Sequence, residues 1–294
     1  MSINWYHGGI VVGVDGSSES LAAVDWAARA ADLHDARLTI LATYSVPLTS
    51  DPGIGGLIGE IRDEAHRAAR AAHARLGSRR PGGRDVKVVV LPGNAAHILS
   101  ERSRSCDLVV VGRRGLGTFD RMVLGSTSSP LAASSLGAVV VVPAGATTGD
   151  PRRVRVGVGR DDEPDVLAAA FAEADVRGCP LEVLHASGAD SVSSALFGFE
   201  PFAASWDEPA GAVLADQVAR WSEKYPRVAC SIQIRRGNPV AALLEDLTPD
   251  DLMVLGGRPH EPAVGRMLRN VPDAVLRAAT CPVLVVHAHQ ALPC

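Results

Sequence analysis

The sequence predicts two tandem α/β domains, each a parallel sheet of about five strands flanked by helices. Three observations carry this. The chain repeats itself at a constant spacing, each copy alternates short β-branched runs with helical periodicity, and the length of 294 residues suits two domains of ordinary size. Val12-Gly13-Val14-Asp15 aligns with Val156-Gly157-Val158-Gly159, a spacing of 144 residues (12 to 156). At the same spacing Gly93-Asn94 meets Gly237-Asn238, Asp107–Gly112 meets Asp251–Gly256, and Val139–Val142 meets Val283–Val286. One offset across four landmarks points to duplication. The polar, Gly-containing stretch Ala144–Asp150 reads as the join, giving domains of residues 1–146 and 147–294.

In the first copy, Ile10–Val14 is a short apolar run and reads as a buried strand. Asp15-Gly16-Ser17-Ser18 is a turn, with Ser17 or Ser18 placed to cap the next helix. Leu21, Val24, Ala28 and Ala31 then recur at helical spacing. Leu38–Ala42 is a second strand, and a Gly- and Pro-containing loop (45–56) leads to a long helix with Ile58, Ile61, Ala65, Ala68, Ala72 and Leu76 on one face, ended by Gly77. Val86–Leu91 is a third strand, and Asn94 caps a helix through about Ser103. The matching Asn238 is followed by Pro239, favoured at the first helical position. Leu108–Val111 and Val139–Val142 complete the set, separated by a loop and a helix over 126–136. Buried runs between amphipathic helices imply a parallel sheet covered on both faces.

The balance of 47% apolar and 21% charged residues is that of a soluble globular protein. A formal charge of −4 gives no broad attraction to nucleic acid or anionic lipid, and few aromatic residues are present for base stacking. No basic, apolar leader is seen in MSINWYHGGIVVGVDGS, and no apolar run approaches the roughly 20 residues of a membrane span. Five cysteines without a CxxC pair argue against a disulfide framework or structural zinc, so a reducing cytoplasm is expected.

In open α/β sheets ligands bind beyond the carboxyl ends of the strands, where the winding reverses. The first strand delivers Asp15 there, the second Thr43, and the fourth the segment Gly112-Arg113-Arg114-Gly115 through Gly125-Ser126-Thr127-Ser128. Glycines let the backbone approach an oxyanion, and a helix opening at Gly125–Ser128 offers amide N–H groups and hydroxyls. Asp15 suits ribose hydroxyls or a metal on the phosphates, though a turn-forming Asp is the rival reading. Arg113 and Arg114 either contact the ligand or lie on a solvated face.

The spacing Gly112-x2-Gly115-x9-Gly125-Ser126 resembles the nucleotide motif of the universal stress protein family's ATP-binding branch. VVGVDGS (11–17) and VVVVP (139–143) fit that family as well. Glycine is 29 of 294 residues, so three fixed glycines coincide about once in a thousand starts, which makes the motif specific. The resemblance covers essentially the whole chain. It implies a Rossmann-like fold (adenine nucleotide alpha-hydrolase-like) of strand order 3-2-1-4-5, binding ATP with Mg2+. It implies adenine near Thr43, ribose near Asp15 and Gly112, and phosphates near Gly115, Gly125, Ser126 and Thr127; Gly13 and Ser128 are counted with the same nucleotide site.

The second copy departs from the motif. Gly115 aligns with Pro259, Gly125 with Arg269, Ser126 with Asn270 and Asp15 with Gly159. Proline removes a donor and fixes φ, and arginine fills phosphate space, so one nucleotide per chain is expected. No P-loop, nucleophile elbow or HExxH is present. The expected class is an ATP-binding stress regulator with no catalytic residue. A slow ATPase, an adenylyl-transfer enzyme and a nucleotide-free scaffold are the alternatives. Expected partners are ATP, an unidentified protein, and the chain itself, through pairing of the two domains and homodimerisation by the apolar final strands. His287 and His289 suggest a metal clip only weakly, and Cys294 has no neighbour to activate it.

Overall fold

The structure is a computed structural model that describes residues 8–45, 55–77, 86–116, 124–159, 164–187, 207–257 and 271–287. The chain divides into two compact units, Ile3–Gly149 and Asp150–His289. The first contains β1 (Ile10–Val14), α1 (Ser18–Leu33), β2 (Leu38–Tyr44), α2 (Gly55–Gly77), β3 (Val86–Pro92), α3 (Ala95–Arg102), β4 (Leu108–Gly112), α4 (Ser128–Ser134) and β5 (Ala138–Val142). The second contains β6 (Arg153–Gly157), α5 (Pro164–Arg177), β7 (Leu181–Ser187), α6 (Asp207–Lys224), β8 (Cys230–Arg236), α7 (Pro239–Leu244), β9 (Asp251–Gly256), α8 (Val271–Ala278) and β10 (Val283–Val286). Of the loop expected over 45–56, residues 46–54 lie outside the described residues.

All strand pairs within each unit are parallel. In the first, β1 lies between β2 and β4, β3 flanks β2, and β5 flanks β4, giving the order 3-2-1-4-5. The second repeats it as β8-β7-β6-β9-β10. In the first unit β1 and β4 are covered on both faces, so their sequences carry no polar side chain: Val12 and Val110 are fully buried. In the first unit α1 and α2 cover one face, and α3 and α4 the other.

Helix starts follow the expected chemistry. Ser17 is the cap of α1, its hydroxyl oxygen accepting from the Ser20 amide at 3.1 Å. Asn94 Oδ1 accepts from the His97 amide at 3.1 Å, and Asn238 Oδ1 from the amides of Val240 and Ala241. The preceding glycines, Gly93 and Gly237, have φ of 132° and 117°, which explains the repeated Gly-Asn pair. α4 begins at Ser128, later than the expected 126, because Ser126 and Thr127 form a turn and Ser128 is drawn inward by its hydrogen bonds. Two buried carboxylates were not legible from the sequence. Asp25 of α1 takes a two-pronged contact from Arg75 of α2, at 2.8 and 2.6 Å, and Glu19 is described below.

The duplication is visible in packing. A Cβ at Gly13 would stand 2.9 Å from Leu99 Cδ1 and 3.3 Å from Val111 Cγ1; at Gly157 it would stand 2.6 Å from Leu243 Cδ2 and 2.9 Å from Leu255 Cδ2. All three residues of each trio are related by the same spacing, so α3 and α7 sit on their sheets through matching glycine notches. Among the described residues, no helix is long and apolar enough to cross a membrane.

Gly157→Ala is expected to lower stability by about 1–3 kcal/mol through overpacking. Gly77→Ala, at a helix end with open space around it, should change stability by at most about 1 kcal/mol, and in the stabilising direction. Urea denaturation of both variants checks the contrast. Burial pushes the Cys281 thiol from 9.0 up to about 12. The fold therefore keeps its proton after the unfolded chain has lost it. That contribution to stability is complete below about pH 9 and is lost as pH rises toward 12. Iodoacetamide at pH 8 should leave Cys281 unmodified until the chain is unfolded, as read by peptide mass spectrometry.

Candidate functional site

The site lies at the carboxyl edge of the first unit's sheet, where β1 and β4 leave it. After Val14 the chain turns on Asp15, whose Oδ1 accepts from the Ser17 amide at 3.0 Å and the Ser17 hydroxyl at 2.6 Å. Its Oδ2 accepts from the Leu116 amide at 3.1 Å, 101 residues on. Gly115 stands so close that a Cβ there would fall on the Asp15 carboxylate. The turn after β1 and the loop after β4 are thus clasped together by one side chain.

A second clasp lies beneath it. A Cβ at Gly112 would stand 2.9 Å from the Glu19 carbonyl carbon and 3.0 Å from the Ser20 nitrogen. The first turn of α1 therefore rests directly on the end of β4, an approach that only glycine permits. Glu19, 7% exposed, turns toward the loop. Its Oε2 accepts from the Arg114 amide, and its Oε1 lies 3.3 Å from Arg114 Nε and 3.2 Å from Nη2. The loop is next tied to its far end. The Arg113 amide donates to the Val142 carbonyl at 2.8 Å, and the Arg113 carbonyl accepts from the Gly125 amide at 2.9 Å and the Ser128 hydroxyl at 2.7 Å. Burial lowers the Arg113 pKa, with the Glu19 charge opposing and Arg114 adding to the shift.

The structure thus brings Asp15, Gly112, Gly115, Gly125 and Ser128 into one hydrogen-bonded edge. Thr43, half-buried, follows the Val14–Ala42 pair at the end of β2 and so reaches the same edge. Ser126 is exposed and Thr127 half-exposed at the start of α4, where no side chain caps the helix. Gly13 and Ser128 also have packing roles. Gly13 is the notch for Leu99 on the α3 face, and the Ser128 hydroxyl is buried on the Arg113 carbonyl. Residues 117–123 of the motif lie outside the described residues.

Glu19 and Arg114 are the residues that sequence reasoning missed as a pair. Glu19 reads as an ordinary acid in a first helical turn, favourable to the dipole, and nothing local announces a partner 95 residues away. Arg114 is accordingly a clasp for the loop, and its charge is already matched.

The corresponding edge of the second unit is built differently. The backbone tie is kept, with the Gly257 amide on the Val286 carbonyl at 2.6 Å, as Arg113 is on Val142. Gly257 replaces the arginine, however, and the buried His287 ring occupies the space where a Cβ would be. A second buried histidine, His185, lies with Nδ1 2.8 Å from the Val158 carbonyl oxygen, where the first unit has Ala42. A carbonyl only accepts, so Nδ1 carries the proton. Pro259, Arg269, Asn270, His289 and Cys294 lie outside the described residues. Among the described residues, no group of three or more metal-ligating side chains occurs, His287 included.

Glu19→Ala is expected to lower stability by about 1.5–3 kcal/mol, the range for hydrogen bonds to a charged group. It should also speed hydrogen exchange at the Arg114 amide while leaving β9 amides unchanged; unaltered exchange at Arg114 would remove the clasp from the account.

The model of the Universal stress protein family matches residues 8–143 and again 151–287. The chain is 35% identical over 289 residues to a universal stress protein of Mycolicibacterium smegmatis, covering 95% of this chain and 96% of that protein. It is 30% identical over 305 residues to one from Mycobacterium tuberculosis, covering 96% of each. Among solved structures, it is similar to a universal stress protein from Archaeoglobus fulgidus, with a TM-score of 0.70 at 17% identity over 95% of this chain and 98% of that one. A second, from Pseudomonas aeruginosa, gives a TM-score of 0.59 at 14% identity over 96% and 93%. These two likenesses agree on the fold, and the sequence matches agree on the ancestry. The chain belongs to the universal stress protein family, as two family domains in tandem.

Proposed function

We propose that the first unit binds ATP with Mg2+ at the edge formed by Asp15, Gly112, Gly115, Gly125, Ser126 and Thr127, and that the protein acts as a nucleotide-responsive regulator in stress adaptation. The observation that carries this reading is the uncapped start of α4 beside the Asp15–Gly115 approach. There Ser126 and Thr127 follow Gly125 at a helix start, a set of hydroxyls and backbone amides that suits an oxyanion. Thr43 at the end of β2 is placed for the adenine side of the same ligand. Gly13 and Ser128 support the edge from below.

Holding the nucleotide fits the site better than consuming it. The Asp15 carboxylate already accepts three hydrogen bonds, which suits a ligand-positioning group and leaves it a poor base. Phosphoryl transfer also needs a charge clamp, and Arg114 is engaged by Glu19. In the second unit, His287 at the equivalent edge supports a single nucleotide per chain. Pairing of the family domains through their apolar final strands, homodimerisation and a cytoplasmic location belong to the same proposal.

The test is the nucleotide content of protein purified without added ligand, released by denaturation and separated by anion exchange. Wild type should yield adenine nucleotide, and Gly125→Arg, which copies Arg269 of the second unit, should yield less than about a tenth of it. Because Gly125 packs on the Arg113 carbonyl, Ser126→Glu at an exposed position provides a fold-neutral companion and should lose nucleotide similarly through repulsion of phosphate. Equal nucleotide in all three proteins would place the ligand elsewhere.

A further inference from the structure

At the opposite, amino-terminal edge of the first unit's sheet lies a cavity of about 530 Å³, within the size range of small-molecule sites. Its position follows from strand alternation. Val11, Thr39 and Lys87 form one cross-strand row, and Leu41 and Val89 belong to the next row on the same face. Arg37 precedes Thr39 by two residues and shares that face. α3 covers only part of it, through Leu99 on Gly13. Arg102 and Cys106, at and beyond the end of α3, line the far wall.

Two features define what would fit. The floor is aliphatic, from Val11, Leu41 and Val89, and among the described residues no aromatic ring lines it for stacking on a base. The polar walls carry three cations, Arg37, Lys87 and Arg102, and among the described residues no carboxylate lines the cavity. An apolar floor beneath like-charged cations matches an anion with an aliphatic body.

The second unit shows what the same place looks like when closed. There the Val11–Thr39 pair is replaced by Arg155–Glu182, in the same β6–β7 register. Arg155 is fully buried, its Nε donates to Glu182 Oε2 at 2.7 Å, and its Nη1 donates to the carbonyls of Leu243 and Glu245. Arg153 Nη1 adds a contact to Glu182 at 3.1 Å. One copy has filled the position with an internal ion pair, and the other keeps it open and lined with cations.

We propose that this cavity is a second ligand site of the first unit, for a small aliphatic anion such as a medium-chain carboxylate, separate from the nucleotide edge. The carboxylate lies against Lys87, Arg37 and Arg102, and the chain lies along Val11, Leu41 and Val89.

The test is calorimetric titration of the full chain with decanoate, with decanol and inorganic sulfate as controls for charge and apolar body. Decanoate should bind once per chain, at least tenfold more tightly than either control. Lys87→Glu, at an exposed position, should weaken decanoate at least tenfold while purified-protein nucleotide content stays at the wild-type level. The double variant Val11→Arg with Thr39→Glu, which copies the second unit's pair, should abolish binding. No saturable binding by millimolar decanoate, or binding unchanged by Lys87→Glu in protein of unaltered melting temperature, would overturn the proposal. So would equal affinity for decanol. None of these outcomes depends on whether ATP occupies the other edge.

Discussion

The close approach of the first turn of α1 to Gly112 governs the carboxyl edge of the first unit. Because no side chain intervenes, Glu19 reaches past the end of β4 and takes the Arg114 amide and guanidinium. That contact fixes where the loop leaves the strand. Asp15 then closes on Leu116 from the turn before the helix, and Arg113 bridges β5 on one side and Gly125 on the other. Remove the glycine and α1 must lift, taking Glu19 and the Asp15 turn with it. Three of the motif's glycines thus have packing reasons, and a backbone packed without side chains is also one that a phosphate can approach.

Duplication has conserved the scaffold and let the edges diverge. The notch trios Gly13–Leu99–Val111 and Gly157–Leu243–Leu255, the Gly-Asn helix entries and the amide ties to Val142 and Val286 are the same device used twice. Differences collect at the strand ends. At the carboxyl edge the second unit carries His185 and His287, and toward the amino edge it carries the buried Arg155–Glu182 pair. A buried ion pair is costly to desolvate and adds little net stability, so its presence in one copy marks that position as one under different demands in the two.

Much of this was legible in the sequence. Strand positions followed from uninterrupted β-branched runs, because a central parallel strand is buried on both faces, and helix starts followed from Ser17, Asn94 and Asn238. The motif glycines located the edge because glycine is needed wherever backbone approaches backbone. What could not be read were pairings between distant charges. Glu19 with Arg114, Asp25 with Arg75 and Arg155 with Glu182 each look like solvent-facing residues until the fold brings them together. The role of Gly13 was hidden for a similar reason, since its neighbour Leu99 comes from a helix most of a domain away. α4 starts two residues later than composition suggests, because Ser126 and Thr127 resemble a helix entry and only the inward turn of Ser128 sets the true start.

The proposal that matters most is that the first unit holds a nucleotide at its carboxyl edge and the second does not. Native mass spectrometry of the full chain, stripped of bound nucleotide and titrated with ATP and Mg2+, measures this directly. The account predicts saturation at one ATP per chain, with no second binding event at concentrations up to about a hundredfold above the first midpoint. Two ATP molecules bound with similar affinity would contradict it.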